Sequence, residues 1–215
     1  MTTITDKNII EFCKFLNGDI NLLDIETFVY KQTDLEQQLD EEIYLELINF
    51  DFKDKNASDR LRHFIFRHIS SEGQFETWKL KLLLNTFLTD ISNTHIYLDK
   101  LYHLYCGIYQ DNGQRKYRYK FLSNLGLNYL WWVDEGYMKT NYGINWEKEY
   151  KNCFDDFGFY HSQLDPFAHE ILTALNDNKI QILNDGTYTI TEDLKAKLET
   201  ETIYKLKHPN KKYGS

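Results

Sequence analysis

Residues whose types and spacing could do chemistry occur at four places in this chain. His161, Asp165 and His169 are spaced four apart. On one continuous helix they would share a face, and a His/carboxylate set of this kind can hold zinc or iron. Pro166 lies inside the set, however, and Asp-Pro reads as a helix start, with Asp165 at the N-cap and proline at the first helical position. His161 then precedes the helix, the spacing loses its meaning, and no metal is expected. His103 and Cys106 stand one turn apart, but a Cys/His nucleophile pair needs an activating neighbourhood. Cysteine is among the most buried residue types, so core packing is the simpler assignment. Asp155 and Asp156 could share acid–base work if burial shifted one of them. Adjacent residues diverge on a helix, and a solvated pair is expected instead. Arg115, Lys116, Arg118 and Lys120 interleave with Tyr117 and Tyr119, a mixture that can bind single-stranded nucleic acid by charge and stacking. A strand with its aromatics inward and its charges outward accounts for the same alternation.

Beyond these, no GxSxG, Walker loop, GxGxxG, HExxH or EF-hand loop is present. No catalytic, cofactor-binding or metal-binding residue is assigned, and an enzyme is not the leading reading. The charge pattern says more. Between Asp19 and Asp54, eleven acidic residues face only Lys31 and Lys53, a net charge of −9, whereas the whole chain carries −8. The acidity is therefore local, and a local field steers a basic partner. The plainer account is a solvated face on surface helices. A pI near 5.4 argues against bulk binding to nucleic-acid phosphates.

Positioning any of these residues falls to a chain of 215 residues, 42% hydrophobic and 16% aromatic, which suffices for a sizeable core. Cys13, Cys106 and Cys153 are far apart with no CxxC, which fits a reduced cytoplasmic protein. The opening MTTITDKNII lacks a signal-peptide apolar run, and no stretch reaches the roughly 18 apolar residues of a membrane span.

The first half reads as successive helices. Thr5 opens one with Ile9, Phe12, Cys13 and Leu16 on its apolar face, and Gly18 ends it. Asn21 opens the next. Thr33 and Glu36 form a T-x-x-E capping box ahead of Leu35, Leu39, Ile43 and Leu47, which places Glu36, Asp40, Glu41 and Glu42 on flanking or opposite faces. Ser58 caps a helix through Leu61, Phe64 and Ile65. Two more follow, from about Glu72 to Ile91 and through Tyr97, Leu101 and Tyr105. The second half turns at Asp111-Asn112-Gly113. A strand over 116–121 then pairs with 127–133 across Asn124–Gly126. Helical spacing returns at Trp146, Tyr150 and Cys153. After Pro166 comes a helix through Phe167, Ile171 and Leu175. A hairpin around Asn184-Asp185-Gly186 follows, and then a last helix capped by Thr191. The tail 205–215 should fray. The expected fold class is α+β: a mostly helical region 1–100 and a mixed region 101–215 with short antiparallel strand pairs. The change falls somewhere in 92–113, unless the two regions form one continuous domain.

The piece IQILNDGTYTITEDLKAKL, behind the helix SQLDPFAHEILTALNDN, looks like the wing of winged-helix proteins. A reading helix needs positive charge, and this one has no Lys or Arg, so a winged-helix-like regulator is the third choice. The segment FLNGDINLLDIETFVYKQTDLEQQLDEEIYLELINFDFK resembles the N-terminal part of small bacterial immunity proteins encoded beside polymorphic or contact-dependent toxins. LYHLYCGIYQ and FLSNLGLNYLWW are similar to segments of the same group. The resemblance covers about a third of the chain and rests on acidic helices and aromatic spacing. It implies a cytoplasmic protein that binds and blocks a cognate toxin without catalytic residues of its own. The leading expectation is therefore a protein-binding inhibitor whose Glu36, Asp40, Glu41 and Glu42 meet a basic, nuclease-like toxin. No nucleic-acid or membrane partner and no cofactor are expected. The alternative is an enzyme of unrecognised type with a polar pocket in the second half.

Overall fold

Helices hold most of the residues that the computed structural model describes, namely 4–109, 115–116, 118–130, 133, 135–154 and 157–200. The contacts divide into two compact units, one of residues 1–79 with 183–185 and one of the remaining residues. The change of character expected at 92–113 lies inside the second unit.

In the first unit α1 (Asp6–Asn17) buries Phe12, Cys13, Phe15 and Leu16. It stops at Gly18, whose φ of 84° lets Asp19 N–H reach the Lys14 carbonyl at 2.9 Å. Next comes α2 (Leu22–Lys31), which opens on a reciprocal capping box. Asn21 accepts from the Asp24 N–H at 3.1 Å and donates its own N–H to the Asp24 carboxylate at 3.0 Å.

The single helix expected over 33–47 is instead two, α3 (Leu35–Gln38) and α4 (Glu41–Ile48), with Leu39 extended between them. The Thr33/Glu36 capping box is not formed, since Asp34 occupies the N-cap position. A polar tie explains the break. Asn8 is fully buried in α1, and its amide donates to Gln38 Oε1 at 2.9 Å, an oxygen that also accepts from the Thr5 N–H at 2.9 Å. Gln38 in turn donates to Asp34 at 2.7 Å. A buried amide needs such partners, and holding Gln38 against α1 diverts the chain before Asp40 restarts it. Asn56, not Ser58, precedes α5 (Ala57–His68). The core of this unit includes Phe12, Ile25, Leu35, Leu47, Leu61 and Ile65.

The division between the units falls inside α6 (Glu72–Thr89). In the second unit α7 (Thr94–Cys106) buries Leu98, Leu101, Tyr105 and Cys106. Two residue pairs then join β1 (Ile108–Tyr109) to β2 (Arg115–Lys116) in antiparallel fashion. The strand expected over 116–121 goes no further. The chain enters a 3-10 turn at Lys120–Leu122 and α8 (Ser123–Gly126), and the described residues of 127–133 form no strand. Residues 121–126 are all buried, so the segment has no solvent face for a half-buried strand to show. The turn at 111–113, Tyr117, the Asp155/Asp156 pair and the tail 205–215 lie outside the described residues.

Following α9 (Glu135–Tyr142) and α10 (Trp146–Phe154), α11 runs unbroken over Phe157–Asn176 with Pro166 inside it. The helix start expected at Asp165 is thus corrected. Phe157, Tyr160, Leu164, Ala168 and Ile171 are buried along its length. At about 1.5–3 kcal/mol for each large side chain, their burial outweighs the roughly 3 kcal/mol cost of an interior proline. The hairpin forms as expected: β3 (Ile180–Ile182) pairs with β4 (Tyr188–Ile190), Ile180 opposite Ile190, and Gly186 takes φ 75°. Thr191 occupies the N-cap position of α12 (Glu192–Leu198), which buries Leu194 and Leu198.

Candidate functional site

Two places combine exposed or half-buried polar groups with a defined geometry. The first is the outer face of α4. Leu47 points inward, fully buried, and the helical period sends residues 41, 42, 45, 46 and 49 outward. Glu41, Glu42 and Glu46 are exposed there, as are Asp40 just ahead of the helix and Glu36 on α3. Leu45 is 46% exposed in the middle of this face. Among the described residues, no cation lies within ion-pair distance of Glu36, Glu41, Glu42 or Glu46. The carboxylates at 40, 41 and 42 sit in or before the first turn of α4, where its exposed N–H groups favour negative charge. The four residues singled out from sequence are thus all exposed and gathered at α3 and the start of α4. The same unit holds a groove of about 470 Å³, where Arg60, His63, Phe64, Arg67 and His68 form one stripe of α5 opposite Glu46 and Asp51. Its Arg60 is paired to Asp54 at 2.9 Å and lies over Phe50 at 5.3 Å. That contact and an Asn56 backbone N–H hold the Asp54 carboxyl below its usual range, the backbone bond being the larger cause.

The second place is a groove of about 570 Å³ in the second unit, between α7 and Tyr129, Leu130, Val133 and Tyr137. His95, Asp99, Tyr102 and His103 recur along α7 at helical spacing, on the side away from buried Leu101. Tyr129 and Tyr137 line the groove opposite them, with Ile96, Leu130 and Val133 as its apolar surface. Tyr102 and Tyr129 stack with centroids 4.0 Å apart and planes 22° from parallel. His95 is half-buried, stacked on Phe157 at 4.8 Å, with the Tyr150 hydroxyl 3.2 Å from its Nε2. Burial lowers the His95 pKa, and the nearby Asp99 opposes the shift. Burial likewise raises the Tyr129 pKa, with Tyr102 adding to it. His103 lies 3.7 Å from Asp99, and both are more than half exposed. Sequence reading missed this groove. The available signal was the i, i+4, i+7 stripe of His95, Asp99 and Tyr102; the facing Tyr129 and Tyr137 carried none.

The other candidates resolve individually. The continuous α11 places His161, Asp165 and His169 at successive turns, but the side chains part company. His161 is 6% exposed, donates through Nε2 to the Phe87 carbonyl at 2.8 Å and stacks on the Phe87 ring at 4.7 Å. Asp165 and His169 pair with each other at 3.3 Å on the surface. Among the described residues no three His, Cys, Asp or Glu side chains gather to hold a metal ion. Cys106 is buried at 2% exposure while the neighbouring His103 side chain is 73% exposed. Of the basic-aromatic run, Arg118 lies over the Tyr119 ring at 4.9 Å and Tyr119 is buried. The helix ahead of the hairpin has no Lys or Arg over Phe157–Asn176 to meet a phosphate backbone. No described helix is long and apolar enough to cross a membrane. Compared with known proteins, the chain matches no family model, no curated protein and no solved structure.

Proposed function

We propose that this protein is a protein-binding inhibitor of the immunity type, which docks a basic, nuclease-like toxin on the acidic face formed by α3 and α4. The observation that supports this reading most is the outer face of α4. Carboxylates at 41, 42 and 46 flank a half-exposed Leu45, with Asp40 just ahead of the helix, and the described residues supply no cation to Glu41, Glu42 or Glu46. An apolar centre inside a charged rim is the anatomy of a protein interface. Unneutralised rim charge speeds encounter with a basic partner and fixes its register. The immunity assignment rests on the resemblance of residues 15–53 and on this face together.

The test is co-expression with the product of the adjacent gene, followed by stopped-flow association with the partner so captured; an adjacent gene product that does not bind would count against the proposal. Changing Glu36, Asp40, Glu41 and Glu42 together to Lys should slow association by about tenfold or more, and the difference should shrink as salt shortens the screening length to about 8 Å or less. Three of the changes fall at the start of α4, where a reversed charge costs roughly 0.3–1 kcal/mol each. A quadruple Gln variant, with the fold checked by circular dichroism, therefore separates steering from helix damage and should show an intermediate rate. Association unchanged by both variants and flat in salt would overturn the proposal.

A further inference from the structure

We propose that the groove between α7 and Tyr129, Leu130, Val133 and Tyr137 is a binding site for an organic ammonium ion, held against Tyr102, Tyr129 and Tyr137 and neutralised by Asp99. This site is independent of the acidic face on α4 and belongs wholly to the second unit.

Size, charge and surface chemistry point the same way. A volume of about 570 Å³ falls in the range of small-molecule sites. Among the described lining residues none is Lys or Arg, and Asp99 is the carboxylate. His95, the imidazole walled in by Phe157 and Tyr150, is driven towards its neutral form by burial. The groove thus favours a positive guest: among the described lining residues an anion would meet Asp99 with only the imidazole of His103, 3.7 Å from it, as an offset. Tyrosine faces attract cations through the ring quadrupole, and clusters of them recognise alkylated ammonium groups. The Tyr102–Tyr129 stack holds two of the three rings in place before a ligand arrives, which reduces the ordering cost of binding. Ile96, Leu130 and Val133 add apolar surface for the alkyl substituents. Two other grooves among the described residues lack this combination. The one along α5 is lined by Arg60 and Arg67 as well as by Glu46 and Asp51, so it presents both signs of charge. The one beside α12 has Lys197 paired to Glu170 at 2.5 Å and a single aromatic residue, Phe167.

The same ammonium chemistry occurs in free small molecules and on the methylated lysine side chain of a protein. The experiment is an NMR titration of the full chain with choline, with a short peptide containing trimethyl-lysine, and with 3,3-dimethylbutanol, the uncharged isostere of choline. Saturable shifts are expected at Tyr102, Tyr129 and Tyr137 for at least one cation, with affinity about fivefold or more above the isostere. Tighter binding of choline assigns a free ligand, and tighter binding of the peptide assigns a protein side chain; both support the site. Asp99→Asn changes a residue whose side chain is 57% exposed, so the fold should survive while cation affinity drops towards that of the isostere. Tyr129→Leu should weaken both cations as well. Equal affinity for cation and isostere, or no saturable shift with either cation, would overturn the proposal. Cation binding untouched by Asp99→Asn would overturn it too.

Discussion

Gly126 and Gly158 should respond to alanine in opposite directions, and the structure supplies the magnitudes. Gly126 closes α8, where that helix meets α7. A Cβ built there lies 2.8 Å from Tyr105 Cβ, 3.1 Å from Tyr105 Cγ and 3.3 Å from Tyr102 Cα. Carbon atoms rest at about 3.5–4.0 Å, so α8 and α7 must separate by roughly 0.7 Å or the Tyr105 side chain must move. Tyr105 is 1% exposed and fixed in the core, and Tyr102 Cα is backbone. Overpacking of this kind costs about 1–3 kcal/mol. Against it stands a helix-propensity gain of at most about 1 kcal/mol, and less at the last residue of a four-residue helix. The clash wins, by about 1–2 kcal/mol, or about 2–8 °C in Tm for a chain of this size. At Gly158, exposed near the start of α11, nothing lies within 4 Å of the new Cβ. There alanine should add about 0.4–1 kcal/mol by narrowing the unfolded ensemble. Urea and thermal melts of both variants against the parent protein read the difference directly. If Gly126→Ala is as stable as the parent, or if the two substitutions shift stability in the same direction, the packing of α8 on α7 described above is wrong.

Three further outcomes are expected. Leu47 is fully buried beneath the acidic face, so Leu47→Ala should cost about 2–5 kcal/mol in denaturant melts, and a loss below about 0.5 kcal/mol would mean that α4 faces the other way. Burial pushes the Cys13 thiol up to about 11, and Cys106 and Cys153 are 2% and 3% exposed. Ellman's reagent at mild alkaline pH should therefore label none of the three until denaturant is added; rapid labelling of the native protein would contradict their burial. The His95 pKa is lowered in the folded state, so the unfolded chain binds its proton more readily. The stability that His95 contributes is complete above its unfolded pKa of about 6.5 and is lost as pH falls below that value towards the lower folded pKa. Melts between pH 8 and 5 should show this loss and a smaller one in His95→Gln, whereas identical pH profiles for the two proteins would dismiss the assignment.

What the amino-acid sequence determined by itself was whatever rests on neighbours a few residues apart. The helix stop at Gly18, the start at Asn21, the hairpin around Asn184–Gly186 and the buried faces of α1, α5 and α12 all follow from local turn chemistry and apolar period. So does the exposure of Glu36, Asp40, Glu41 and Glu42, because Leu35, Leu39 and Leu47 must face inward. Tertiary structure decided the rest. The period of Leu35, Leu39, Ile43 and Leu47 reads as one helix, and it is the hydrogen bonds that Gln38 accepts from Thr5 and Asn8, 33 and 30 residues away, that divide it. Asp165-Pro166 carries the local marks of a helix start, yet burial of Leu164 on one side and Ala168 on the other carries α11 through it. The alternation over 116–121 reads as a strand, but Phe121–Gly126 is buried on every side, with Phe121 against Tyr188, Ser123 bonded to the Leu198 carbonyl and Gly126 against Tyr105. The groove of His95, Asp99 and Tyr102 is half legible, since helical spacing aligns those three residues, while Tyr129 and Tyr137 join them through the fold alone. Local signals report the free energy of a few bonds along the chain, and distant packing contributes several such terms at once, so it prevails wherever the two conflict.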